Sequence, residues 1–325
     1  MFRTLVDAIR PGASAEQAAK LAATQDQLAD LQRRLSEAEA RIQDSEMAGR
    51  RLRDELAVYR DLEAGNRLLR LHYPVEMRYR DFSTSPHMKR LRERFAQERP
   101  KYARTVSDLA AYLPQLTAIP MEGDGLHWRN DWLSSLDGAS LYGLVALRNP
   151  SIYMEVGSGN STMFVRQAIR NHGLRTKIVS IDPYPRADID KICDEVIRHP
   201  LEDASVEVFD RLSGDDMLFV DNSHLALPNS DVSVFFLEVL GRLPKGLIYG
   251  VHDIFLPEDY PSEWAPRGYN EQHLLAAYLF GGADGDEIVL PVCHAARDAE
   301  LMQPLAELWA MGLHPFGGAF WLRKA

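Results

Sequence analysis

The feature that most constrains the fold is a glycine turn between an apolar run and a helical stretch. The run Ile152–Val156 is followed directly by Gly157-Ser158-Gly159, and then by Asn160-Ser161-Thr162. Gly157 and Gly159 allow a tight turn and let a ligand approach the backbone closely, while Ser161 or Thr162 can cap the helix that follows. The pattern predicts a strand–turn–helix unit of a parallel sheet with a ligand at the turn.

A second apolar run ends in an acid, within the segment Ser180-Ile181-Asp182-Pro183-Tyr184-Pro185. Asp182 lies 25 residues after Gly157, near the position of the carboxylate that receives ribose hydroxyls in such folds. A dinucleotide fingerprint would carry its third glycine at 162, where this chain has threonine, and this argues against NAD. Each piece alone is an ordinary turn or strand-end acid, but together they predict nucleoside binding.

Residues 136–325 alternate short apolar runs with helical patterns, which is typical of stacked βα units. The strands are mostly apolar rather than alternating, as expected for a sheet covered on both faces. The predicted strands are Ile152–Val156, Lys177–Ile181, Glu195–Arg198, Met217–Val220, Leu247–Val251, Glu287–Pro291 and Ala319–Leu322. The predicted helices are Thr162–His172, Asp188–Lys191, Ser205–Leu212, Asp231–Leu243 and Glu271–Phe280.

The fourth and fifth predicted strands both end in an acid and a histidine. The fourth leads into Asp221-Asn222-Ser223-His224, and the fifth into His252-Asp253. Ligands of open α/β sheets bind at the carboxyl ends of the strands, near the switch in strand order. We therefore expect Asp221, His224, His252 and Asp253 to meet at one crevice.

These motifs together resemble the class I S-adenosylmethionine-dependent methyltransferases, through Glu155-Val-Gly-Ser-Gly-Asn-Ser-Thr and Ile181-Asp-Pro-Tyr. The resemblance implies a Rossmann-like, seven-stranded α/β sheet with helices on both faces. It also implies S-adenosylmethionine as cofactor, with Asp182 at the ribose and Glu202 or Asp203 near the adenine. The cofactor-binding residues that it implies are Glu155, Gly157, Ser158, Gly159, Ser161, Asp182, Asp203 and Asp221.

A finer resemblance joins Asp221-x-x-His224, Asp231, the turn Pro244-Lys245-Gly246 and His252-Asp253, and continues through residues 254–272. These motifs look like those of a methyltransferase subgroup whose bacterial sequences often accompany glycan and exopolysaccharide assembly. The resemblance implies a hydroxyl of a sugar or glycan intermediate as acceptor. Enzymes that methylate base amines usually have Pro-Pro and an aromatic after this acid, so Asn222-Ser223 disfavours base methylation.

The same residues allow two chemistries. A sugar hydroxyl needs a base as the methyl group moves, and His224 or His252 has a suitable pKa, with Asp253 or Asp221 as the orienting group. Alternatively, Asp221, His252 and Asp253 hold Mg²⁺, which lowers the pKa of a bound hydroxyl. The long loop after the fifth strand supplies predicted acceptor contacts from Trp264, Tyr269 and Glu271.

Residues 14–60 have a seven-residue repeat. One row reads Leu21, Leu28, Leu35, Ile42, Gly49 and Leu56, and the row three residues later reads Thr24, Leu31, Ala38, Ser45, Leu52 and Tyr59. Nine of these twelve positions are apolar, which predicts a coiled coil and a homo-oligomer. The alternative is one long helix folded back on its own domain. We thus expect three segments: a helical segment 1–65, a basic helical linker or cap 66–135, and the methyltransferase domain 136–325.

Charge narrows the partners. Residues 78–104 contain nine Lys/Arg and three acids, a local +6 within a chain of net charge −10. This basic stretch either receives an anion or membrane surface, or pairs with the protein's own acids. The acidic remainder disfavours nucleic acid. No transmembrane segment and no secretory signal are expected, so a cytoplasmic location is predicted. Two other functions remain open: a nucleoside-binding scaffold without catalysis, and an NAD oxidoreductase, which Thr162 disfavours.

Overall fold

A computed structural model describes residues 15–65, 67–69, 71–185 and 188–325, with side chains from Gln17 onward. The N-terminal stretch on which the signal prediction rests lies outside these residues. The chain divides into two units, Met1–Glu76 and Met77–Ala325. In the first unit, helix α1 runs from Ala15 to Ala64 without interruption, as its content of Ala, Leu, Glu, Gln and Arg favours.

The larger unit is built on one seven-stranded sheet. Its strands are β1 (Ile152–Val156), β2 (Lys177–Ile181), β3 (Glu195–Ile197), β4 (Met217–Val220), β5 (Ile248–Val251), β6 (Glu287–Pro291) and β7 (Phe320–Arg323). The order is β3-β2-β1-β4-β5-β7-β6. β7 runs antiparallel to both β5 and β6, and the other pairs are parallel. The predicted fold class is confirmed, and each predicted strand is found within one residue of its expected ends.

Both faces of the sheet are covered, because successive residues of a strand point to opposite faces and those of β4 and β5 are all buried. The helices of this unit are α2 (Pro86–Ala110), α3 (Leu113–Leu116), α4 (Ser135–Arg148), α5 (Asn160–His172), α6 (Asp231–Val234), α7 (Glu271–Phe280), α8 (Val292–Ala295), α9 (Ala299–Met302) and α10 (Ala306–Ala310). Helix α6 continues as a π-helix and a 3₁₀ turn to Arg242. The helices predicted at 188–191 and 205–212 are instead 3₁₀ turns, at Asp190–Ile192 and Val206–Arg211.

Helix α2 packs into the core of the larger unit. Ser85 caps it, its hydroxyl accepting from the Met88 N–H, and Pro86 occupies the first turn, where its missing N–H costs nothing. Phe95 and Tyr102 on its inner face are fully buried in the same cluster as the strands. The segment between 86 and 110 is therefore part of the globular unit rather than a linker beside it.

Four of the seven basic residues of α2 form ion pairs with the protein's own acids. Arg99 Nε lies 2.6 Å from Asp298 Oδ2, and Lys101 Nζ lies 2.8 Å from Glu287 Oε1. These contacts support the interpretation in which the basic segment pairs with the protein's own acids rather than with an anion or a membrane surface. The pairs are partly exposed, so each contributes about 0–1 kcal/mol. Among the described residues, no helix is both long enough and apolar enough to cross a membrane.

Candidate active site

The turn after β1 requires glycine at its first position. Gly157 has φ +78°, and a Cβ there would lie 1.8 Å from the carbonyl oxygen of Asp221. The Gly157 N–H donates to Ile181 O at 2.9 Å, and the Asp221 N–H donates to Val156 O at 2.8 Å. The carboxyl ends of β1, β2 and β4 are thus held together at this turn, which leaves no room for a side chain.

The second glycine faces open space. A Cβ on Gly159 would meet no protein atom within 4 Å, although the residues on either side of it are anchored. Its N–H donates to Thr162 Oγ1 at 3.0 Å and so fixes the start of α5. The protein therefore leaves a free volume directly above the turn, where a ligand can approach the backbone.

Glu155 and Ser161 lie behind this turn rather than in the open space. The Glu155 carboxyl is fully buried and accepts hydrogen bonds from Ser161 Oγ at 3.0 Å, from Tyr153 Oη at 3.1 Å and from Thr162 Oγ1. Burial raises the pKa of Glu155 to about 8, against the lowering effect of these hydrogen bonds. Both residues shape the turn from below and hold it to the first turn of α5.

Asp182 borders the open side of the turn. One carboxylate oxygen accepts from the Ser158 N–H at 2.8 Å, and the other accepts from the Tyr184 N–H at 2.8 Å. Of the two acids proposed near an adenine, Asp203 is exposed, whereas Glu202 is half-buried and burial raises its pKa. Glu202 is the more enclosed of the pair.

Beyond the ends of β4 and β5, acids and histidines form a continuous series of contacts, which we call the acid–histidine chain. Its members are Asp137, His252, Asp221, Asp253, His224 and Glu271. His252 is buried between two carboxylates, with Nδ1 3.1 Å from Asp221 Oδ1 and Nε2 3.1 Å from Asp137 Oδ2. His224 Nδ1 lies 2.9 Å from Glu271 Oε2, and its Nε2 lies 3.4 Å from both Asp221 Oδ1 and Asp253 Oδ2. The four side chains expected to meet at one crevice do meet.

Two residues among these acids and histidines have left-handed backbone conformations, which are uncommon for residues other than glycine. His224 has φ +59° and Asp253 has φ +54°. Such conformations cost on the order of 1 kcal/mol or more and concentrate at functional sites. Here they turn the imidazole and the carboxylate towards each other at the ends of neighbouring strands.

The contacts within the acid–histidine chain determine the pKa values of its members. Burial alone lowers the pKa of a histidine, but Asp221 and Glu271 outweigh it and raise the pKa of His224 to about 10. Likewise, Asp221 and Asp253 raise the pKa of His252 well above its usual value. Burial would raise the pKa of Asp221, but His252 and His224 hold it below its usual range. These raised pKa values favour the cationic form of both imidazoles, in which each ring nitrogen carries a proton, and this disfavours the predicted role of either one as the base.

Asp253 differs from Asp221, because burial raises the pKa of its carboxyl despite the nearby histidines. It also lines a cleft of about 230 Å³, together with His252. The cleft walls include the aromatic residues Trp132, Phe255, Trp264 and Phe316, and also Arg267. Arg267 lies over the Trp264 ring at 4.1 Å, a cation–π contact.

The predicted acceptor contacts fall in different places. Trp264 lines the cleft, whereas the Tyr269 ring packs on His224 at 4.7 Å between centroids. Glu271 is fully buried behind His224 and is not among the residues that line the cleft, so its contact with the acceptor stays a prediction. It accepts a second hydrogen bond from Asn222 Nδ2 at 3.1 Å and thereby orients the His224 ring.

Sequence reasoning missed Asp137, which begins the chain of contacts from helix α4. Its carboxylate is fully buried and accepts from the Gly318 N–H at 2.8 Å and the Ala319 N–H at 2.8 Å, besides facing His252. The available signal was local, since Asp137 is the only charged residue between Leu136 and Leu147. A lone acid in an apolar helix needs a buried partner.

Of the three residues in the alternative set of metal ligands, His252 faces carboxylates on both sides, and the metal-dependent alternative stays a prediction. Both ring nitrogens of His252 already face carboxylates, so the ring offers no lone pair to a cation. Across the part of the chain that the structure describes, no three or more His, Cys, Asp or Glu side chains are arranged to hold a metal ion. Asp221 and Asp253 do converge, since both lie 3.4 Å from His224 Nε2.

Comparison with known families identifies the central part of the larger unit. A family described as a methyltransferase domain matches residues 154–254, from β1 to just beyond β5. The match covers the glycine turn, Asp182 and the acid–histidine chain apart from Asp137 and Glu271. Residues 154–254 thus match a methyltransferase domain, and the predicted enzyme class is confirmed. No curated protein sequence matches the chain.

Several solved structures are similar at low identity. The SAH-bound methyltransferase PaMTH1 of Podospora anserina is 17% identical over 72% of this chain and 96% of its own, with a TM-score of 0.37. The O-methyltransferase TomG of Streptomyces achromogenes, in complex with SAM, is 15% identical over 68% and 90%, with a TM-score of 0.34. An SAH complex of a Bacillus cereus O-methyltransferase is 13% identical over 68% and 91%, with a TM-score of 0.36. The fold itself follows from the strand order β3-β2-β1-β4-β5-β7-β6.

Proposed function

We propose that this protein binds S-adenosylmethionine at the glycine turn and methylates a hydroxyl group of a sugar or glycan intermediate. One observation carries the proposal: the glycine turn, whose Gly159 faces open space, contacts Asp182 through the Ser158 N–H and contacts the backbone of Asp221, whose carboxylate lies 3.1 Å from His252 Nδ1. The strand order reverses between β1 and β4, which is where open α/β sheets bind ligands. The methyltransferase match over residues 154–254 supports methyl transfer at this site.

The residues around the turn fit an adenosyl donor, which supplies a methyl group activated by a positively charged sulfur. Ser158 and Gly159 present backbone at the open volume, and Asp182 offers carboxylate oxygens suited to ribose hydroxyls. Glu202 or Asp203 is the acid for the adenine. Because the neighbouring imidazoles keep the Asp221 carboxyl ionised, Asp221 provides a negative charge next to the turn that favours a cationic donor.

Asp253 is the proposed base. As the hydroxyl oxygen of the acceptor forms its bond to the methyl group, the bond between that methyl group and the donor sulfur breaks and S-adenosylhomocysteine leaves. The O–H bond of the acceptor breaks as well, and the Asp253 carboxylate takes the proton. A raised pKa makes this carboxylate a better proton acceptor than an ordinary one. The protonated rings of His224 and His252 lie 3.4 and 3.6 Å from its two oxygens and hold it in place. In this proposal both histidines position Asp253 and balance its charge.

The cleft beside Asp253 supports a ring-shaped acceptor. Trp264 and Phe255 provide flat apolar faces, and Arg267 adds hydrogen-bond donors at the rim. Sugars combine apolar ring faces with many hydroxyls, so they fit a cleft with both kinds of surface. A cytoplasmic location stays a prediction.

The test is transfer of a labelled methyl group from S-adenosylmethionine by the full chain, to hexoses, hexuronic acids and a catechol, with EDTA or with Mg²⁺. We expect methyl ethers on a sugar hydroxyl in the presence of EDTA. Asp253→Asn should lower kcat about 100-fold or more without changing the affinity for S-adenosylhomocysteine. Asp215→Asn, at an acid that is 89% exposed and does not line the cleft, is the matched control and should retain activity.

Three results would contradict parts of the proposal. Methylation of the catechol alone, and only with Mg²⁺, would replace it with a metal-dependent small-molecule O-methyltransferase. Donor binding with no transfer to any acceptor class would favour a nucleoside-binding scaffold. Full activity of Asp253→Asn would return the role of base to His224 or His252.

A further inference from the structure

Helix α1 carries a regular apolar seam that is exposed in the single chain. Taking Leu21 as position a of a heptad, the seam consists of positions a and d over six heptads. Its large apolar side chains are between 48% and 69% exposed, namely Leu21, Leu28, Leu31, Leu35, Ile42, Leu52, Leu56 and Tyr59. A narrow a/d seam of this length is the surface that another helix covers in a coiled coil.

The charges that flank the seam change sign along the helix in a complementary way. Position e, one residue after d, reads Gln25, Gln32, Glu39, Glu46, Arg53 and Arg60. Position g, one residue before a, reads Gln27, Arg34, Arg41, Ala48 and Glu55 over the same span. The e row thus passes from neutral to acidic to basic, while the g row passes from neutral to basic to acidic.

We propose that α1 pairs with a second copy of itself as a parallel, in-register, two-stranded coiled coil. In that arrangement each g residue faces the e residue five positions later on the other chain. Arg34 then faces Glu39 of the partner subunit, Arg41 faces Glu46 of the partner subunit, and Glu55 faces Arg60 of the partner subunit. Two-fold symmetry repeats each pair. The remaining pairs are Gln27 with Gln32 of the partner subunit and Ala48 with Arg53 of the partner subunit, and they bring no like charges together.

The antiparallel arrangement is disfavoured by the same charges. In an antiparallel pair, g residues face g residues of the other helix and e residues face e residues. When the two helices cross each other's midpoint near position 40, arginine therefore lies opposite arginine and glutamate lies opposite glutamate. The residues concerned are Arg34 and Arg41 in one row and Glu39 and Glu46 in the other. Like charges across a coiled coil determine which alternative is rejected, even where each pair contributes little to affinity.

The number of helices in the coiled coil follows from the width of the apolar surface on α1. Trimers and tetramers bury part of positions e and g as well, so they favour apolar residues there. Here ten of the eleven e and g positions given above are charged residues or glutamine, and Ala48 is the exception. A surface restricted to a and d is fully covered by one partner helix.

Disulfide cross-linking of the full chain tests orientation and register. Leu28→Cys places its thiol opposite the same residue of the partner only when the helices are parallel and in register. We expect rapid formation of a cross-linked dimer under mild oxidation, and a solution mass of about 73 kDa, twice 36.7 kDa. Asp26→Cys, on the outer face at position f, is the matched control and should cross-link no faster than the wild type, whose own cysteines are Cys193 and Cys293.

Charge exchange tests the pairing itself. The double variant Arg34→Glu with Arg41→Glu should dimerise roughly 30-fold or more weakly, since four attractions become four repulsions. The variant Glu39→Arg with Glu46→Arg should behave alike, and mixing the two should restore a dimer. Circular dichroism checks that both variants stay folded.

Several outcomes would overturn the proposal. A monomer or a tetramer of the wild type would contradict the two-stranded pairing. Cross-linking between Leu28→Cys and Leu52→Cys chains, but not within either, would establish an antiparallel pair. Dimerisation unchanged in both charge variants would show that the e and g residues do not face each other as stated.

Discussion

Replacing Asp137 by asparagine tests whether the buried carboxylate holds the acid–histidine chain together. The Asp137 carboxylate accepts from the Gly318 N–H and faces His252 Nε2 on one oxygen, and accepts from the Ala319 N–H on the other. An amide of the same shape has one accepting oxygen, so its NH₂ group must face one of these donors. It also leaves His252 with one fewer counter-charge.

The expected loss can be worked out from these contacts. Breaking a buried ion pair by removing one partner costs about 3–5 kcal/mol, and a lost hydrogen bond to a charged group costs about 1.5–3 kcal/mol. The two figures describe overlapping contacts and do not add. We therefore expect Asp137→Asn to lower the free energy of unfolding by about 3 kcal/mol, because Asp137 has no access to water that would replace its partners.

The loss should depend on pH in a defined direction. Burial lowers the pKa of His252, but Asp221, Asp253 and Asp137 outweigh it and raise that pKa well above its usual value. A raised histidine pKa stabilises the fold fully below the pKa of the unfolded chain, about 6.5, and this stability is lost as pH rises through the folded pKa. The penalty of Asp137→Asn should thus be largest near pH 6 and shrink in alkaline solution.

Urea unfolding of the full chain at pH 6 and pH 9, followed by tryptophan fluorescence, measures both effects. Asp131→Asn removes an exposed acid from the rim of the same cleft and should change stability by less than about 0.5 kcal/mol. The reasoning fails if Asp137→Asn is as stable as this control at pH 6. It also fails if the penalty grows with pH.

Three further predictions concern other parts of the molecule. Because burial raises the pKa of Asp253 above its usual 3.8, kcat should fall as pH decreases through that raised pKa, and a pH–rate profile flat down to pH 4 would contradict its role as base. Phe95→Ala should cost about 3–5 kcal/mol because Phe95 is fully buried, whereas Arg99→Ala should lower stability far less because Arg99 is 40% exposed; equal losses in urea titrations would refute this. Trp264→Ala should raise KM for the acceptor about 10-fold and leave the affinity for S-adenosylhomocysteine unchanged, and the reverse result would remove Trp264 from the cleft's function.

The sheet could be predicted because its information is local. Each strand is a short apolar run that ends at a glycine, proline or polar residue, so β1, β2, β4 and β6 are found with the ends that the sequence indicates. Helix α2 was predicted only as part of a basic helical linker or cap, since its charged residues dominate the composition. Its buried residues Phe95, Tyr102, Val106 and Leu109 are spaced by seven, four and three, which is a helical stripe that a residue count alone does not reveal.

The active site could be predicted in part. The acids and histidines after β4 and β5 converge because strand ends of a parallel sheet share one edge, which follows from topology. Their protonation could not be predicted in full, because it depends on burial and also on Asp137 and Glu271, which come from helices distant in sequence. Burial of Glu271 behind His224 likewise depends on how α7 packs and not on any local motif.

Binding of S-adenosylhomocysteine, measured by calorimetric titration of the wild type and of Gly159→Ala, tests the central claim most directly. The added methyl group meets no protein atom within 4 Å, so it intrudes only on a ligand above the turn. We predict that the wild type binds S-adenosylhomocysteine and not NAD, and that a folded Gly159→Ala variant binds it at least about 10-fold more weakly. A wild type that does not bind the adenosyl ligand, or a variant that binds it equally well, would contradict the account.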